Sequence, residues 1–426
     1  MCTTHGGTIS SLSITRSETE VVYRVVSTKE VGNLDENLYN GTNNVGTSRS
    51  YDEIKMIHSN CQSAMNKKTE IKDLLAIENP MILALTEFGA SSEIQNDELN
   101  CDGYSLYRGD HSDGRGGPGR GTALYVHNSL NHSACPKLER LPFDCSAWCQ
   151  IKLNARESLL VGTIYRSPNS TMENNEDLLK MLKEIRSTNV KYIKMCGDFN
   201  VPHINWGLNY CNAPPESFND KFLRTINDLR LSQHVQQPTR FRRDQSSILD
   251  LIFTNEPNIV GEIENLCPLG KSDHNCQSWT IRAREILFRN MTRLKYNFKK
   301  ADWQRVKAHL RNLQLDPDDS AETVSKKITD SINEAKSLYI PLVIPRSRGT
   351  RLPWMRNAGI KRQKAKKKEF WDRFIVSQDP RDYDLYKTER NRFESLKDNK
   401  KAMYEKSLIC QMKEKPNLFH THCRQA

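Results

Sequence analysis

From Tyr51 to Arg284 the chain is cut into short apolar, β-branched or aromatic runs, and this rhythm limits its fold more than any other feature. The runs are Met81–Leu85, Thr122–Val126, Trp148–Leu153, Leu159–Tyr165, Lys191–Cys196, Ile248–Phe253 and Ser278–Ile281. Each is of strand length and is flanked by Gly, Asn, Asp or Pro, which favour turns. Only two or three helical patterns separate them. Glu176–Arg186 carries Leu178, Leu179, Leu182 and Ile185, and Ser217–Leu231 carries Phe218, Phe222, Ile226 and Leu229 on one face. Ser217 is placed to cap the second helix. Many strands with few helices predict sheet packed on sheet with helices outside, rather than a doubly wound parallel sheet.

The flanking segments read differently. Residues 1–50 are rich in Ser, Thr, Asn and Gly and poor in apolar clusters, which predicts disorder. The packed domain is expected over residues 52–285. Beyond it, Trp303, Val306, Leu310 and Leu313 mark one helix, and Val324, Ile328, Ile332 and Ala335 mark another. Asp318 and Asp319 stand just before the second, where acidic charge favours a helix N-terminus. A Pro/Arg segment, Pro341 to Pro353, leads into a long charged stretch with a basic run at Lys361–Lys368 and aromatics Phe370, Trp371, Phe374, Tyr383, Tyr386 and Phe393. The basic run reads equally as a solvated helix face or as a nucleic-acid contact, and the aromatics as helix-on-helix packing. Residues 286–426 are thus expected to form a helical basic extension.

Composition narrows the class of partner. The chain has 426 residues and a formal net charge of +11, which suits a polyanion or an anionic surface. Its 12 cysteines are scattered with no CxxC pair, so buried free thiols are expected rather than a zinc site. No apolar run approaches the roughly 20 residues that span a bilayer, and the N-terminus lacks a signal-peptide pattern. The expectation is a soluble intracellular protein without membrane contact.

Six features carry chemistry. Gly197-Asp198-Phe199-Asn200 follows a strand-like run and offers a carboxylate that can orient or deprotonate water, and an amide that can hold a phosphate oxygen. Ser272-Asp273-His274 joins a carboxylate to an imidazole. Glu87 ends the run Met81–Thr86 as a hard-cation ligand, and Asn60 follows Lys55–His58. Tyr165 closes Leu159–Ile164 before a Pro turn. Asp250 sits inside the apolar run Ile248–Phe253, a costly place for an acid without a partner, and a His would serve. Each is individually compatible with an ordinary turn or a solvated strand end.

In this order, however, the six resemble the endonuclease/exonuclease/phosphatase superfamily over about residues 52–285. Leu85-Thr-Glu87, Gly103-Tyr104, Gly121–Tyr125, Tyr165-Arg-Ser-Pro168, Val201–Trp206, Pro238-Thr-Arg-Phe241 and Leu249–Asn255 are similar to the endonucleases of LINE-type non-LTR retrotransposons. The resemblance implies a four-layer α/β sandwich, two packed β-sheets flanked by helices. It implies a Mg²⁺-dependent DNA endonuclease, with Mn²⁺ as a substitute ion, that leaves a 3′-hydroxyl for priming. Glu87 and Asn60 match metal-site residues, with Asp273 a further site acid. Asp198 matches the residue that positions the attacking water, Asn200 a phosphate binder, His274 the imidazole at the scissile phosphate, Asp250 the acid that orients it, and Tyr165 a tyrosine beside the phosphate. Asn169 and Thr239 match nucleic-acid contacts, although the turn after Tyr165 is longer than in many family members.

A DNA substrate implies the nucleus, with the cytoplasm as a second location. Residues after Phe288 resemble the linker before a reverse transcriptase, whose Tyr-x-Asp-Asp signature is missing, so a truncated element is expected. The basic extension is then a candidate contact for element RNA. An abasic-site endonuclease, a lipid or inositol phosphatase, and a non-catalytic DNA-binding relic remain alternatives.

Overall fold

A computed structural model describes residues 14–17, 20–23, 52–91, 93–110, 120–242, 245–283, 286, 295–296, 298, 301–343 and 352–411. The chain divides into two units, Tyr51–Arg289 with Arg346–Ala426, and Met1–Ser50 with Asn290–Pro345.

The first unit is built on two six-stranded sheets. Its strands are β1 (Asp52–Asn60), β2 (Ile82–Thr86), β3 (Tyr104–Gly109), β4 (Thr122–His127), β5 (His132–Ala134), β6 (Ser146–Lys152), β7 (Ser158–Tyr165), β8 (Tyr192–Asp198), β9 (Ser232–Gln233), β10 (Asp250–Thr254), β11 (Glu264–Leu266) and β12 (Cys276–Ala283). One sheet has the order β11-β12-β1-β2-β4-β3 and the other β9-β10-β8-β7-β6-β5. Each sheet has one parallel pair, β1 with β2 and β7 with β8. Parallel neighbours need a long crossover. Helix α1 (Lys68–Glu78) lies in the first connection and α4 (Met172–Glu184) in the second. Single-turn helices α2 (Asn96–Leu99) and α3 (Pro136–Glu139) sit in other connections.

Strand alternation sorts the side chains into layers. Ile54, Met56, Ile82, Ala84, Leu124, Val126, Cys149, Val161, Cys196, Ile252 and Trp279 fill the seam between the sheets. On the outer face of one sheet, Ile57, Leu83, Leu85 and Tyr125 meet Ile71 and Leu75 of α1. On the outer face of the other, Trp148, Ile164, Met195 and Phe253 meet α4 and α5 (Phe218–Asp228). The expected four-layer sandwich is present. Ser217 caps α5 as anticipated, its side chain accepting from the Asp220 N–H. Each of the seven apolar runs overlaps a strand. Strand β1 is longer than the run Lys55–His58 suggested, and β3 was not anticipated, because charged and polar residues interrupt the alternation in both. Cys61, Cys101, Cys135, Cys145, Cys149, Cys196 and Cys276 are buried thiols outside any disulfide.

The C-terminal part of this unit is an antiparallel helical hairpin, α8 (Ala358–Ser377) and α9 (Pro380–Gln411). The aromatics Phe370, Trp371, Phe374, Tyr383 and Tyr386 pack on one another, and Phe241 of the sandwich joins them. Lys397 reaches Asp73 of α1 at 2.7 Å, both nearly buried, and Lys364 reaches Glu78 at 2.6 Å. Much of the basic run is therefore engaged within the chain. Lys366 pairs with Glu389, Lys368 with Glu264 and Asp372, and the Lys367 ammonium lies 4.5 Å from the Phe393 ring. Lys361 and Arg362 are exposed.

The second unit contains α6 (Trp303–Arg311) and α7 (Ala321–Tyr339), capped by Asp302 and Ser320. Val306, Ala335 and Ile340 form its small core. Trp303, Ile328 and Ile332 remain exposed, so the anticipated helices form but their apolar faces are only partly covered. Asp318 and Asp319 stand ahead of α7 as anticipated, and Asp319 pairs with Lys327. Residues 1–50, expected to be disordered, contain a short antiparallel ladder, Ile14–Ser17 with Glu20–Tyr23. The remainder of that expectation, and the segments containing Phe288, Arg346 and Arg348, lie outside the described residues. Among the described residues no helix is long and apolar enough to cross a membrane.

Candidate active site

The two sheets deliver their site residues to one end of the seam by register. In one sheet β7, β8 and β10 bring Tyr165 beside Asp198 and Asp198 directly opposite Asp250. A side chain on Gly197 would collide with the Ile164 carbonyl, so glycine permits this close strand approach before Asp198. In the other sheet Asn60 pairs with Thr86 at the ends of β1 and β2, with Glu87 next in the chain, and His274 lies just ahead of β12. Glu87 and Asn200 have positive φ, 50° and 48°. Such non-glycine conformations are uncommon and recur at functional sites.

Glu87, Asp198 and His274 present ligand-type atoms within 4.8 Å of one another. Asn60 bridges the two acids, its Nδ2 donating to Glu87 at 2.7 Å and to Asp198 at 2.9 Å. Behind them His274 Nδ1 meets Asp250 Oδ2 at 2.7 Å, and Asp250 Oδ1 lies 3.9 Å from Nδ1 of the fully buried His58. The electrostatics follow from this crowding. Burial and the Asp250 and Glu87 charges push the Asp198 carboxyl up to about 7, against the pull of His274 and Asn60. Burial likewise raises Glu87. Burial alone would lower His274, but Asp250, Asp198 and Asp273 outweigh it and bring the imidazole up to about 9. Burial also opposes ionisation of Asp250, yet His274 holds its carboxyl below the usual range. Burial keeps His58 below its ordinary value.

This donor set fits a hard divalent cation. Two carboxylates that repel one another and retain protons would be relieved by a dication, which favours their ionised forms. Glu87 and Asp198 are the oxygen donors. Asn60, expected at the metal, turns its N–H group toward the acids while its Oδ1 faces the Gln62 N–H at 3.3 Å. In this orientation it holds the two carboxylates together. Asp273 also stands outside the trio. Its carboxylate takes Gln62 Nε2 at 2.5 Å and Arg240 Nε at 3.0 Å, with His274 Nε2 at 3.8 Å.

Residues 159–277 match the model of the family described as Endonuclease-reverse transcriptase. That stretch contains Tyr165, Asp198, Asn200, Asp250, Asp273 and His274, and the sandwich sets them beside Asn60 and Glu87 in a single cluster. That cluster holds a trio of side chains suited to a metal ion. Three solved structures are similar to the sandwich domain. The endonuclease domain of TRAS1, a telomere-specific non-LTR retrotransposon, is 16% identical over 55% of this chain and 100% of its own, with a TM-score of 0.43. The AP endonuclease LMAP from Leishmania major is 13% identical over 54% of this chain and 88% of its own, with a TM-score of 0.45. The 3′-5′ exonuclease NExo from Neisseria meningitidis is 14% identical over 54% of this chain and 99% of its own, with a TM-score of 0.41. No curated protein matches the chain.

The other predicted site residues fall into place unevenly. Tyr165 is buried beside Asp198, and burial with the Glu87 and Asp198 charges raises its phenol. Asn200 is buried to 9% exposure and donates through Nδ2 to the Arg166 carbonyl at 2.8 Å. Arg166 returns a bond to the Asn200 carbonyl at 2.9 Å and lies 4.0 Å over the Phe218 ring. Asn169 is exposed in the turn after Tyr165, where it is accessible. Thr239, expected to touch nucleic acid, is fully buried, and its hydroxyl accepts from the N–H groups of Leu249 and Asp250 at 3.2 and 3.1 Å. It supports the start of β10 instead. Sequence reading missed His58, Gln62 and Arg240. An alternating strand ending at Asn60 could have pointed to His58, two residues back on the same face. Gln62 gave no local signal, and Arg240 stood within the motif Pro238-Thr-Arg-Phe241 without a role assigned to it.

Proposed function

We propose that the chain is a Mg²⁺-dependent DNA endonuclease whose product carries a 3′-hydroxyl, serving target-primed retrotransposition in the nucleus. The observation that carries this reading is the convergence of Glu87, Asp198 and His274 backed by Asp250. The description of the matching family and the motif resemblance add the element context.

Phosphodiester hydrolysis builds negative charge on the phosphoryl and leaving oxygens. Held by Glu87 and Asp198, a bound Mg²⁺ supplies Lewis-acid charge there. His274, charged below about 9, donates from Nε2 toward the scissile phosphate because Nδ1 is committed to Asp250. Asp198 orients the attacking water and accepts its proton, which requires the carboxyl to be ionised. Asn60 keeps Glu87 and Asp198 in register, and Tyr165 lines the same end of the seam.

The test is nicking of supercoiled plasmid by the full chain. Activity should appear in Mg²⁺ and stop in EDTA, and nicked ends should prime a polymerase without phosphatase treatment. Glu87→Gln should lose activity that excess Mg²⁺ partly restores, since an amide oxygen is a weaker hard ligand. Ends bearing 3′-phosphate, or a Glu87→Gln protein as active as the parent at low Mg²⁺, would refute the reading.

A further inference from the structure

The helical hairpin α8–α9 touches the sandwich at a place that matters for chemistry. Phe241 lies in a short antiparallel ladder, Arg240–Arg242 with Gln245–Ser247. Its ring is 5.5 Å from the rings of both Trp371 and Phe374, edge-on to each, and only 5% of the residue is exposed. Successive strand residues point to opposite sides, so anchoring Phe241 on α8 aims Arg240 the other way. Arg240 pairs through its backbone with His274 and through Nε with Asp273 at 3.0 Å. The Phe241 N–H donates to the Asp273 carbonyl at 2.8 Å, and the Asn275 N–H to the Thr239 carbonyl at 2.9 Å. The ladder is thus stitched to the segment that carries His274. A three-residue hairpin is marginal by itself, and Trp371, itself 1% exposed, supplies the apolar support.

We infer that α8 is a positioning element of the active site. Trp371 and Phe374 hold Phe241 so that the Arg240 guanidinium stays on Asp273 at the rim of the catalytic cluster. The partly exposed guanidinium there meets a non-bridging oxygen of a substrate phosphate. Arg240 is the contacting residue, and Trp371 acts through it. A planar donor fork suits phosphate, and a shift of about an ångström at such a contact can cost on the order of a hundredfold. The inference rests on the nuclease reading for its substrate, but its structural half stands independently.

The experiment is a double-mutant cycle in the full chain with Trp371→Ala, Arg240→Ala and both together. Steady-state nicking should show each single variant losing roughly ten- to a hundredfold in kcat/KM. The double variant should lose no more than Arg240→Ala within about twofold, since coupled residues are not additive. Trp371→Phe should restore most of the loss. Multiplicative losses, or a Trp371→Ala protein as active as the parent, would overturn the inference. Should Trp371→Ala fail to fold, the cycle is run with Phe374→Leu under the same criteria. If the parent does not nick DNA, the proposed function fails, and hydrogen exchange decides the structural half. Faster exchange of the Phe241 and Asn275 amides in the helix variant supports it, and unchanged exchange overturns it.

Discussion

Asp250→Asn isolates the charge behind the His274 imidazole, the proposed proton donor, while keeping its shape. In the parent, Asp250 is fully buried with Oδ2 at 2.7 Å from His274 Nδ1. Its charge does most to carry the imidazole against the cost of burial to about 9, from an ordinary 6.5. That rise corresponds to about 3 kcal/mol of preference for the charged ring. Without it, burial prevails and the value falls toward or below 6.5. At pH 7.5 the parent ring is almost wholly charged, whereas about a tenth or less is charged in the variant. Nicking at that pH should fall at least about tenfold from protonation alone, and further where the carboxamide permits the wrong tautomer. Asp250 also raises Asp198, so the acidic limb should move down as well. The assay is kcat/KM for plasmid nicking in saturating Mg²⁺ from pH 5.5 to 9.5, with the His274 imidazole titrated by NMR. Both limbs should shift to lower pH and activity should partly recover near pH 6. An alkaline limb that stays where the parent has it would refute this role.

Other outcomes test the surrounding framework. Thr239→Val should lower stability by about 1–3 kcal/mol, because the Leu249 and Asp250 N–H groups lose a buried acceptor, while DNA affinity measured by anisotropy stays within about twofold. Lys194→Met should raise Tm. The buried Lys194 ammonium has no hydrogen-bond partner, and burial lowers it to about 7, so the penalty for charging it is full below 7 and gone above 10.5. The gain in a melting experiment should accordingly be larger at pH 6 than at pH 9.5. Lys397→Met should cost about 3–5 kcal/mol by stranding the buried Asp73 carboxylate, and adding Asp73→Leu should recover most of it. An unchanged melt for Lys397→Met would show that α9 does not dock on α1.

The strands that were easiest to read are those buried on both faces. Runs such as Leu159–Tyr165 and Ile248–Phe253 are apolar nearly throughout because each face meets either the seam or a helix layer. Strand β1 was harder because Glu53, Lys55 and His58 break that continuity, although His58 itself lies in the buried seam. Asp250 was legible as an acid whose burial demanded a partner, and His274 is that partner. Position along the chain could not show which atom of Asn60 faces the carboxylates, or that Thr239 turns inward, since both depend on hydrogen bonds to residues remote in sequence. The basic run Lys361–Lys368 was equally opaque. Its cations find Glu78, Glu264 and Glu389 only once α8 lies against the sandwich.

On the proposed reading, the arrangement of charge links metal, proton and substrate at this site. Glu87, Asp198 and Asp250 crowd three carboxyl groups into a buried volume that contains one readily charged imidazole, His274. Asp250 faces His274 on one side and the neutral His58 on the other, so its charge is largely compensated. Glu87 and Asp198 have only the Asn60 amide between them, and burial leaves both reluctant to ionise. A proton and a divalent cation are therefore competing solutions to the same repulsion, and raising the pH through about 7 should favour the cation. A phosphate acts in the opposite sense, since its negative charge is best met by a site with the metal bound and His274 protonated. Asp198, whose carboxyl burial pushes up to about 7, ionises more readily beside a cation, and His274 keeps its proton to about 9, so the proposed base is deprotonated and the proposed donor protonated in the same pH range.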